Sequence, residues 1–167
     1  EEQAVIFTIG HSNVELDQFL PLLAMHSIKV LADVRTSPYS RYASQFNRDV
    51  LEVVLARQGI EYLFLGGPLG GRPADAPLDE EGRPAYEAMA ARGDFLGGIE
   101  TLLARAAEKR VCVLCSEEDP GRCHRGVLLG RVLAERDVPV VHIRGDGTTE
   151  TQKAMCLRMA RGQLTLF

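Results

Sequence analysis

Polar side chains that can do chemistry follow the apolar runs of this sequence. His11 follows the first run, Asp33 lies at the end of the second, and Cys115 and Glu117 lie at and after the fourth. Ligands of open parallel sheets bind at the carboxyl ends of the strands. Imidazole, carboxylate and thiol groups transfer protons or attack electrophilic atoms. The sequence therefore predicts an active site at this edge, with His11, Asp33, Cys115, Glu117 and His124 as its catalytic residues.

Arginines and hydroxyl groups accompany these side chains. The expected substrate-binding residues are Ser12, Arg35, Ser40, Arg41, Arg72 and Arg125. Guanidinium groups bind phosphate and carboxylate in a bidentate manner. We therefore expect an anionic, phosphate-bearing substrate, either a nucleotide or a nucleic-acid component. An alternative stays open for Asp33 and Glu117, which would then be ion-pair partners that orient Arg35 and Arg125.

Cys115 is the expected nucleophile. It ends a strand, and a helix begins a few residues later. The N-terminus of a helix favours an anion and lowers the pKa of a nearby thiol. The alternative is that Cys115 is an ordinary core residue of a Val-Cys-Val-Leu-Cys strand.

A metal site is the rival interpretation of the same region. Cys115, Cys123 and His124 offer soft ligands, and His11 or Glu117 would complete the set. Adjacent residues on a helix diverge by about 100°, which argues against Cys123 and His124 binding one ion. We therefore predict no metal and no cofactor, with the metal site kept as an alternative.

The elements that must position these residues alternate along the chain. Five short apolar runs predict strands at residues 4–9, 28–34, 60–65, 111–115 and 138–143. Helical periodicity lies between them. Strict alternation implies right-handed crossovers and a parallel sheet. We expect an α/β fold, a three-layer open sheet of about five mainly parallel strands with helices on both faces. Residues 1–162 would form one domain, and residues 163–167 a C-terminal tail.

Local signals refine the helices. Asn47, Asp94 and Asp119 are expected N-caps, and Pro21 is expected to kink or delay the first helix. Gly162 is expected to end a last helix over residues 151–161. Residues 66–84 contain five glycines and four prolines, which is typical of either a functional lid or a disordered segment.

Composition excludes several classes of protein. The chain has 167 residues and a formal net charge of −4, whereas domains that grip nucleic acid by bulk charge are strongly basic. No apolar run approaches the roughly 20 residues that span a bilayer, so no membrane partner is expected. Four cysteines are too few for a disulfide scaffold of this size. We expect a cytoplasmic protein.

The C-terminal tail offers a separate signal. Gln163, Leu164, Thr165, Leu166 and Phe167 resemble the pentapeptide with which bacterial replication and repair proteins dock on the sliding clamp. The leucines and the phenylalanine would fill apolar pockets, and the glutamine would anchor by hydrogen bonds. Tethering raises effective concentration without a basic surface. The alternative is an apolar terminus that folds back onto the domain.

Several blocks together resemble one family. They are Thr8-Ile9-Gly10-His11-Ser12, Asp33-Val34-Arg35 with Pro38, Ser40, Arg41 and Phe46, Leu69-Gly70-Gly71, Tyr86, Cys115-x-Glu117-x-x-Pro120-x-x-Cys123-His124-Arg125, and His142-Ile143. This set resembles the bacterial and archaeal family called domain of unknown function 488. The resemblance implies the same fold and the same site but no particular reaction, and a DNA-repair label on some members implies a role in DNA maintenance.

Three functional hypotheses follow. The first is an enzyme, a hydrolase or transferase, that acts on a phosphate-bearing substrate in DNA repair. The second is a non-catalytic adaptor that binds an anion and docks on the sliding clamp. The third is a metal-dependent enzyme with cysteine and histidine ligands.

Overall fold

A six-stranded sheet organises the part of the chain that the structure, a computed structural model, describes: residues 4–72, 78–82 and 85–164, with the backbone alone at 163 and 164. The strands are β1 Ile6–Gly10, β2 Val30–Asp33, β3 Glu61–Phe64, β4 Val111–Cys115, β5 Val140–Ile143 and β6 Thr149–Thr151. They lie in the order β3-β2-β4-β1-β5-β6. All neighbours are parallel except β5 and β6, which are antiparallel.

Helices connect these strands. The α-helices of the described residues are α1 Leu16–Met25, α2 Arg48–Arg57, α3 Gly66–Leu69, α4 Tyr86–Ala90, α5 Gly93–Glu108, α6 Arg131–Glu135 and α7 Gln152–Leu164. Short 3-10 turns cover Ser44–Phe46 and Pro120–Arg122, and a π-helical stretch, Arg125–Gly130, leads directly into α6. None of the helices in the described ranges is long and apolar enough to cross a membrane.

Two apolar cores, one on each face of the sheet, make the domain three layers deep. Alternate strand residues point to opposite faces, so Cys112 and Cys115 of β4 belong to different cores. Helices α1 and α2 cover one face, while α5 and α6 cover the other. This arrangement confirms the predicted α/β fold and the five predicted strands.

Strand β6 was missed because its sequence, Thr149-Glu150-Thr151, is short and polar. Among the described residues it pairs only with β5, and two of its three residues are exposed. Such an edge strand has neither the length nor the apolar pattern on which sequence reasoning depends.

Several predicted helix signals are wrong in detail. Helix α1 begins at Leu16, before Pro21, and continues through this proline to Met25. Asp94 lies in the first turn of α5, whose N-cap is Arg92. Asn47 does occupy the N-cap of α2, but its side chain accepts a hydrogen bond from the Ser40 amide at 2.7 Å instead of capping the helix. Asp119 caps only the short 3-10 turn, where it accepts from the Gly121 amide.

The structure describes part of each of the two segments whose conformation the sequence did not determine. Within 66–84, residues 66–69 form α3, while 73–77, 83 and 84 lie outside the described residues. Gly162 does not end the last helix, because α7 continues to Leu164. Residues 165–167 lie outside the described residues, so the clamp-binding prediction stays a prediction.

Gly10 is required where the end of β1 passes the loop after β4. A Cβ atom at Gly10 would lie 1.7 Å from the Glu117 carbonyl oxygen and 2.9 Å from Arg125 Nη2. We predict that Gly10→Ala lowers the free energy of unfolding by about 1–3 kcal/mol, the usual cost of overpacking. Urea denaturation measures this change.

Gly97→Ala is the matched control, because nothing lies within 4 Å of that position on the exposed side of α5. An alanine there should raise the free energy of unfolding by up to about 1 kcal/mol. Equal effects of the two substitutions would contradict the close approach of β1 to the loop.

Candidate functional site

Neighbouring strands β2, β4 and β1 end side by side, and their backbones continue to pair beyond the strand ends. The His11 amide donates to the Cys115 carbonyl at 3.0 Å, and the Ser12 amide donates to the Ser116 carbonyl at 2.8 Å. The Val34 amide donates to Leu114 in the same way. The residues that follow three separate strands are therefore held at one edge.

A cleft of about 770 Å³ opens at this edge. Eight of the eleven predicted catalytic and substrate-binding residues line it: His11, Ser12, Arg35, Ser40, Arg72, Cys115, Glu117 and His124. Asp33, Arg41 and Arg125 do not. Cleft-lining residues that the prediction did not assign to substrate or catalysis include Thr36, Tyr42, Tyr86, Arg122 and Cys123.

Asp33 is a positioning residue for Arg35. Its carboxylate is fully buried and accepts from Arg35 Nε at 2.9 Å and from Arg35 Nη2 at 2.7 Å. The Tyr62 hydroxyl donates to the same carboxylate at 2.5 Å, and burial first, with this contact next, raises the pKa of Tyr62. Asp33 is thus occupied on both oxygens, and the ion-pair alternative describes it correctly.

His11 is a neutral histidine at the floor of the cleft. Nδ1 donates to the Ser12 carbonyl at 2.6 Å, so Nε2 accepts from Arg35 Nη1 at 3.3 Å. Its ring stacks on Phe46 at 4.7 Å between centroids. Burial first, and the Arg35 charge next, lower the pKa of His11 to about 4. With both ring nitrogens engaged, His11 orients Arg35.

Cys115, Cys123 and His124 form a buried cluster at the other side of the cleft floor. The Sγ atoms of Cys115 and Cys123 lie 3.6 and 3.8 Å from His124 Nδ1. His124 Nε2 donates to the carbonyls of Val34 and Leu69 at 3.2 and 3.1 Å. These two carbonyls fix the tautomer, so that Nδ1 faces the sulfur atoms.

Cys115 and Cys123 are paired with each other, and this pairing shifts their pKa values in opposite directions. A hydrogen bond from Cys115 is the largest cause that lowers the pKa of Cys123. The same pairing and burial raise the pKa of Cys115. The expected lowering of the Cys115 pKa is therefore not found, and the role of Cys115 as a nucleophile stays a prediction.

Arg125 is a structural residue. It is fully buried, donates from Nη2 to the carbonyls of Glu117 and Glu118 at 2.8 Å each, and donates from Nη1 to Thr8 Oγ1 at 3.3 Å. The structure does not bring the Arg125 guanidinium to the cleft, because these bonds direct it into the protein. Arg125 holds the loop that carries Glu117 instead.

A second buried histidine continues this network. His142 Nε2 donates to Gln152 Oε1 at 2.7 Å, and its Nδ1 accepts from Thr8 Oγ1 at 2.6 Å. Gln152 in turn donates to the Gly126 carbonyl in the π-helical stretch at 2.9 Å. Burial lowers the pKa of His142 to about 4, so it stays neutral.

Ion pairs fix the loop after β4 from the outside. Arg144 donates to both carboxylate oxygens of Glu118, and Arg158 of α7 donates to both oxygens of Asp119. These partners lower the pKa of Glu118 and of Asp119. Glu118 is thereby committed to the scaffold, and Glu117 is the exposed carboxylate of the cleft.

The missed cleft residues carried weak sequence signals. Thr36 Oγ1 accepts from the Arg72 amide at 2.9 Å, and so places Arg72 at the rim. Tyr86 begins the short helix α4 after a long connection, and no helix or strand periodicity relates it to the cleft. Arg122 is seven residues after Cys115, and only the turn at Pro120–Arg122 turns it back toward the cleft. Arg41, although predicted, is exposed outside the cleft.

The fold and the cleft define an α/β domain with its site at the carboxyl edge of a parallel sheet. A family model described as Domain of unknown function DUF488 matches residues 15–139, about three quarters of the chain. The chain therefore belongs to this family, as the sequence motifs predicted. No curated protein and no solved structure matches it.

The two buried neutral histidines predict a pH dependence of stability. Between pH 6.5 and about 4 the unfolded chain binds protons at His11 and His142 that the folded chain excludes. The free energy of unfolding should therefore fall as pH falls through this window, by up to about 1.4 kcal/mol per pH unit for each histidine. Chemical denaturation at pH 7 and pH 5 measures the loss.

His142→Gln tests the assignment. The variant should be less stable at pH 7, and its stability should fall less steeply than that of the unsubstituted chain between pH 7 and pH 5. Parallel curves for the two proteins would contradict the neutral state of His142.

Proposed function

We propose that this chain is an enzyme, a hydrolase or transferase, that acts on an anionic, phosphate-bearing substrate in the cleft. The observation that carries the proposal is a fixed Arg35 guanidinium facing the same cleft as the Cys115, Cys123 and His124 cluster. An anion-binding group and a reactive group can then contact the same ligand. The reaction belongs in the reducing cytoplasm, where such thiols stay reduced.

Arg35 has donors to spare for a ligand. Asp33 and His11 engage three of the five N–H groups of its guanidinium, counting partners among the described residues. The ion pair with Asp33 also fixes the plane of the guanidinium before any ligand binds. A prearranged donor loses little side-chain entropy on binding.

The rim of the cleft adds positive charge to a chain that is acidic as a whole. Arg72 and Arg122 line the cleft and are exposed, whereas Glu117 is the exposed carboxylate there. Charge-assisted hydrogen bonds from guanidinium groups to phosphate are short and strong. The local balance therefore favours an anion although the formal net charge is −4.

The residues divide into three roles. Arg35, Arg72 and Arg122 bind the phosphate, with Ser12 and Ser40 as further polar contacts along the cleft. The cysteine and histidine cluster supplies the reactive group, and Glu117 is the carboxylate available for proton transfer. His11 and Asp33 position Arg35 and take no direct part.

Exposed tyrosines support a nucleotide or a nucleic-acid component as the substrate. Tyr42 is 88% exposed and lines the cleft, and Tyr39 nearby is 57% exposed. Aromatic side chains beside a positively charged groove are the usual platform on which bases stack. A role in DNA repair is consistent with such a substrate.

Arginine substitutions test the proposal. Inorganic phosphate and a nucleoside 5′-monophosphate serve as probes in isothermal titration calorimetry. The double variant Arg72→Ala/Arg122→Ala should bind both probes at least roughly tenfold more weakly, the usual effect of losing charge-assisted hydrogen bonds. Arg41→Ala is the matched control and should bind as the unsubstituted chain does, because Arg41 lies outside the cleft.

Absence of phosphate binding, or an equal loss in Arg41→Ala, would overturn the anion site. Release of phosphate from a panel of nucleotides and phosphate esters then tests catalysis. Binding without any turnover would identify the second hypothesis, the anion-binding adaptor, and would reject the enzyme.

We further propose that residues 163–167 dock on the bacterial sliding clamp. Because the chain is acidic, it gains little affinity for DNA from counterion release. Docking on the clamp brings the chain to DNA instead. Deletion of residues 163–167 or Phe167→Ala should abolish binding to purified clamp in surface plasmon resonance. Thr165→Ser, which introduces the commoner residue, should retain it. Equal binding by the deleted chain would disprove docking through this tail.

A further inference from the structure

Three soft ligand atoms converge at the floor of the cleft. The Sγ atoms of Cys115 and Cys123 and a ring nitrogen of His124 all lie within 4.8 Å of one another, and all three residues are buried. The same residues line the cleft. The cluster is thus enclosed on the protein side and accessible on one side.

The spacing matches a tetrahedral metal site. Zinc bonds to sulfur at about 2.3 Å and to nitrogen at about 2.0–2.1 Å, so that tetrahedral geometry separates the sulfur and nitrogen ligands by about 3.6 Å. The two sulfur atoms lie 3.6 and 3.8 Å from His124 Nδ1. The two sulfur–nitrogen distances therefore already match those that a zinc ion requires.

The surroundings of His124 match those of a metal ligand. Its Nε2 donates to the carbonyls of Val34 and Leu69, which leaves the lone pair of Nδ1 directed at the sulfur atoms. Histidines that bind metals almost always donate the other ring N–H to such an acceptor. Gly71 packs against the ring, since a Cβ there would lie 2.8 Å from Nδ1, and the imidazole is held in place.

Local backbone conformation removes the objection raised by the sequence. Cys123 is not on the helix that His124 begins, since its backbone is extended with φ −137° and ψ 146°. Adjacent side chains therefore do not diverge by the helical angle. Cys115 reaches the cluster from the end of β4. The three ligand atoms therefore come from three different directions.

We propose that Cys115, Cys123 and His124 bind one zinc ion, with the fourth coordination position open to the cleft. This inference rests on the proposed function, because the open position faces the cleft that the phosphate would occupy. Two thiolates and a neutral imidazole balance the charge of a divalent ion. A zinc ion there would polarise a phosphoryl oxygen or activate a water molecule.

Cobalt substitution tests the site without any assay of activity. The reduced, metal-free chain should bind one Co(II) per molecule, with thiolate-to-cobalt charge-transfer absorption and the visible bands of a tetrahedral ion. Zinc should displace the cobalt. Cys115→Ser, Cys123→Ser and His124→Asn should each weaken zinc binding by more than roughly tenfold, whereas Cys156→Ser, which alters an exposed cysteine on α7, should bind as the unsubstituted chain does.

A measurement on the unsubstituted chain guards against variants that do not fold. Zinc should protect Cys115 and Cys123 from alkylation, as seen by peptide mass spectrometry, while Cys156 continues to react. Failure to bind cobalt, protection that does not depend on zinc, or a Cys115–Cys123 disulfide that forms in air in a chain that takes up no metal would overturn the proposal.

The phosphate titration separates the two claims. Phosphate binding by a chain that binds no metal would reject the zinc site alone. Metal binding by a chain that binds no phosphate would retain the zinc site and reject the anionic substrate.

Discussion

The parallel pairing of β2, β4 and β1 is the constraint on which the rest of the molecule depends. These three strands are neighbours in the sheet, although they are separated along the chain by about 80 residues between β2 and β4. Their pairing continues past the strand ends through the amides of His11 and Ser12. Each strand delivers one part of the site: His11 follows β1, Arg35 follows β2, and Cys115 ends β4. Any shift in register would separate them.

Buried charge then fixes what the sheet brings together. Asp33 holds Arg35, and Arg125 holds two carbonyls of the loop after β4. Removing one partner from the buried Asp33–Arg35 ion pair leaves an uncompensated charge, which costs several kcal/mol. The two arginines therefore have different roles. Arg35 keeps N–H donors free at the cleft, whereas the hydrogen bonds of Arg125 stabilise the surrounding protein framework.

The sequence predicted the fold well, because buried parallel strands are continuous apolar runs and their carboxyl ends share an edge. The same rule placed His11, Arg35, Cys115 and His124 in one cleft. It could not separate Arg125 from Arg35, because both are arginines near strand ends and only side-chain direction distinguishes them. It also predicted a lowered pKa for Cys115, because it could not show that Cys115 contacts Cys123, a contact that raises the pKa of Cys115. Residues reached through long loops, such as Tyr86, carry no periodic signal.

We propose that the carboxyl edge of the sheet binds a phosphate-like anion beside the cysteine and histidine cluster. Crystals grown with tungstate, a heavy phosphate analogue, test this most directly through anomalous scattering. We expect a dominant tungsten peak in the cleft, within hydrogen-bonding distance of Arg35 and next to Cys123. A tungsten peak elsewhere on the molecule, with none in the cleft, would contradict it.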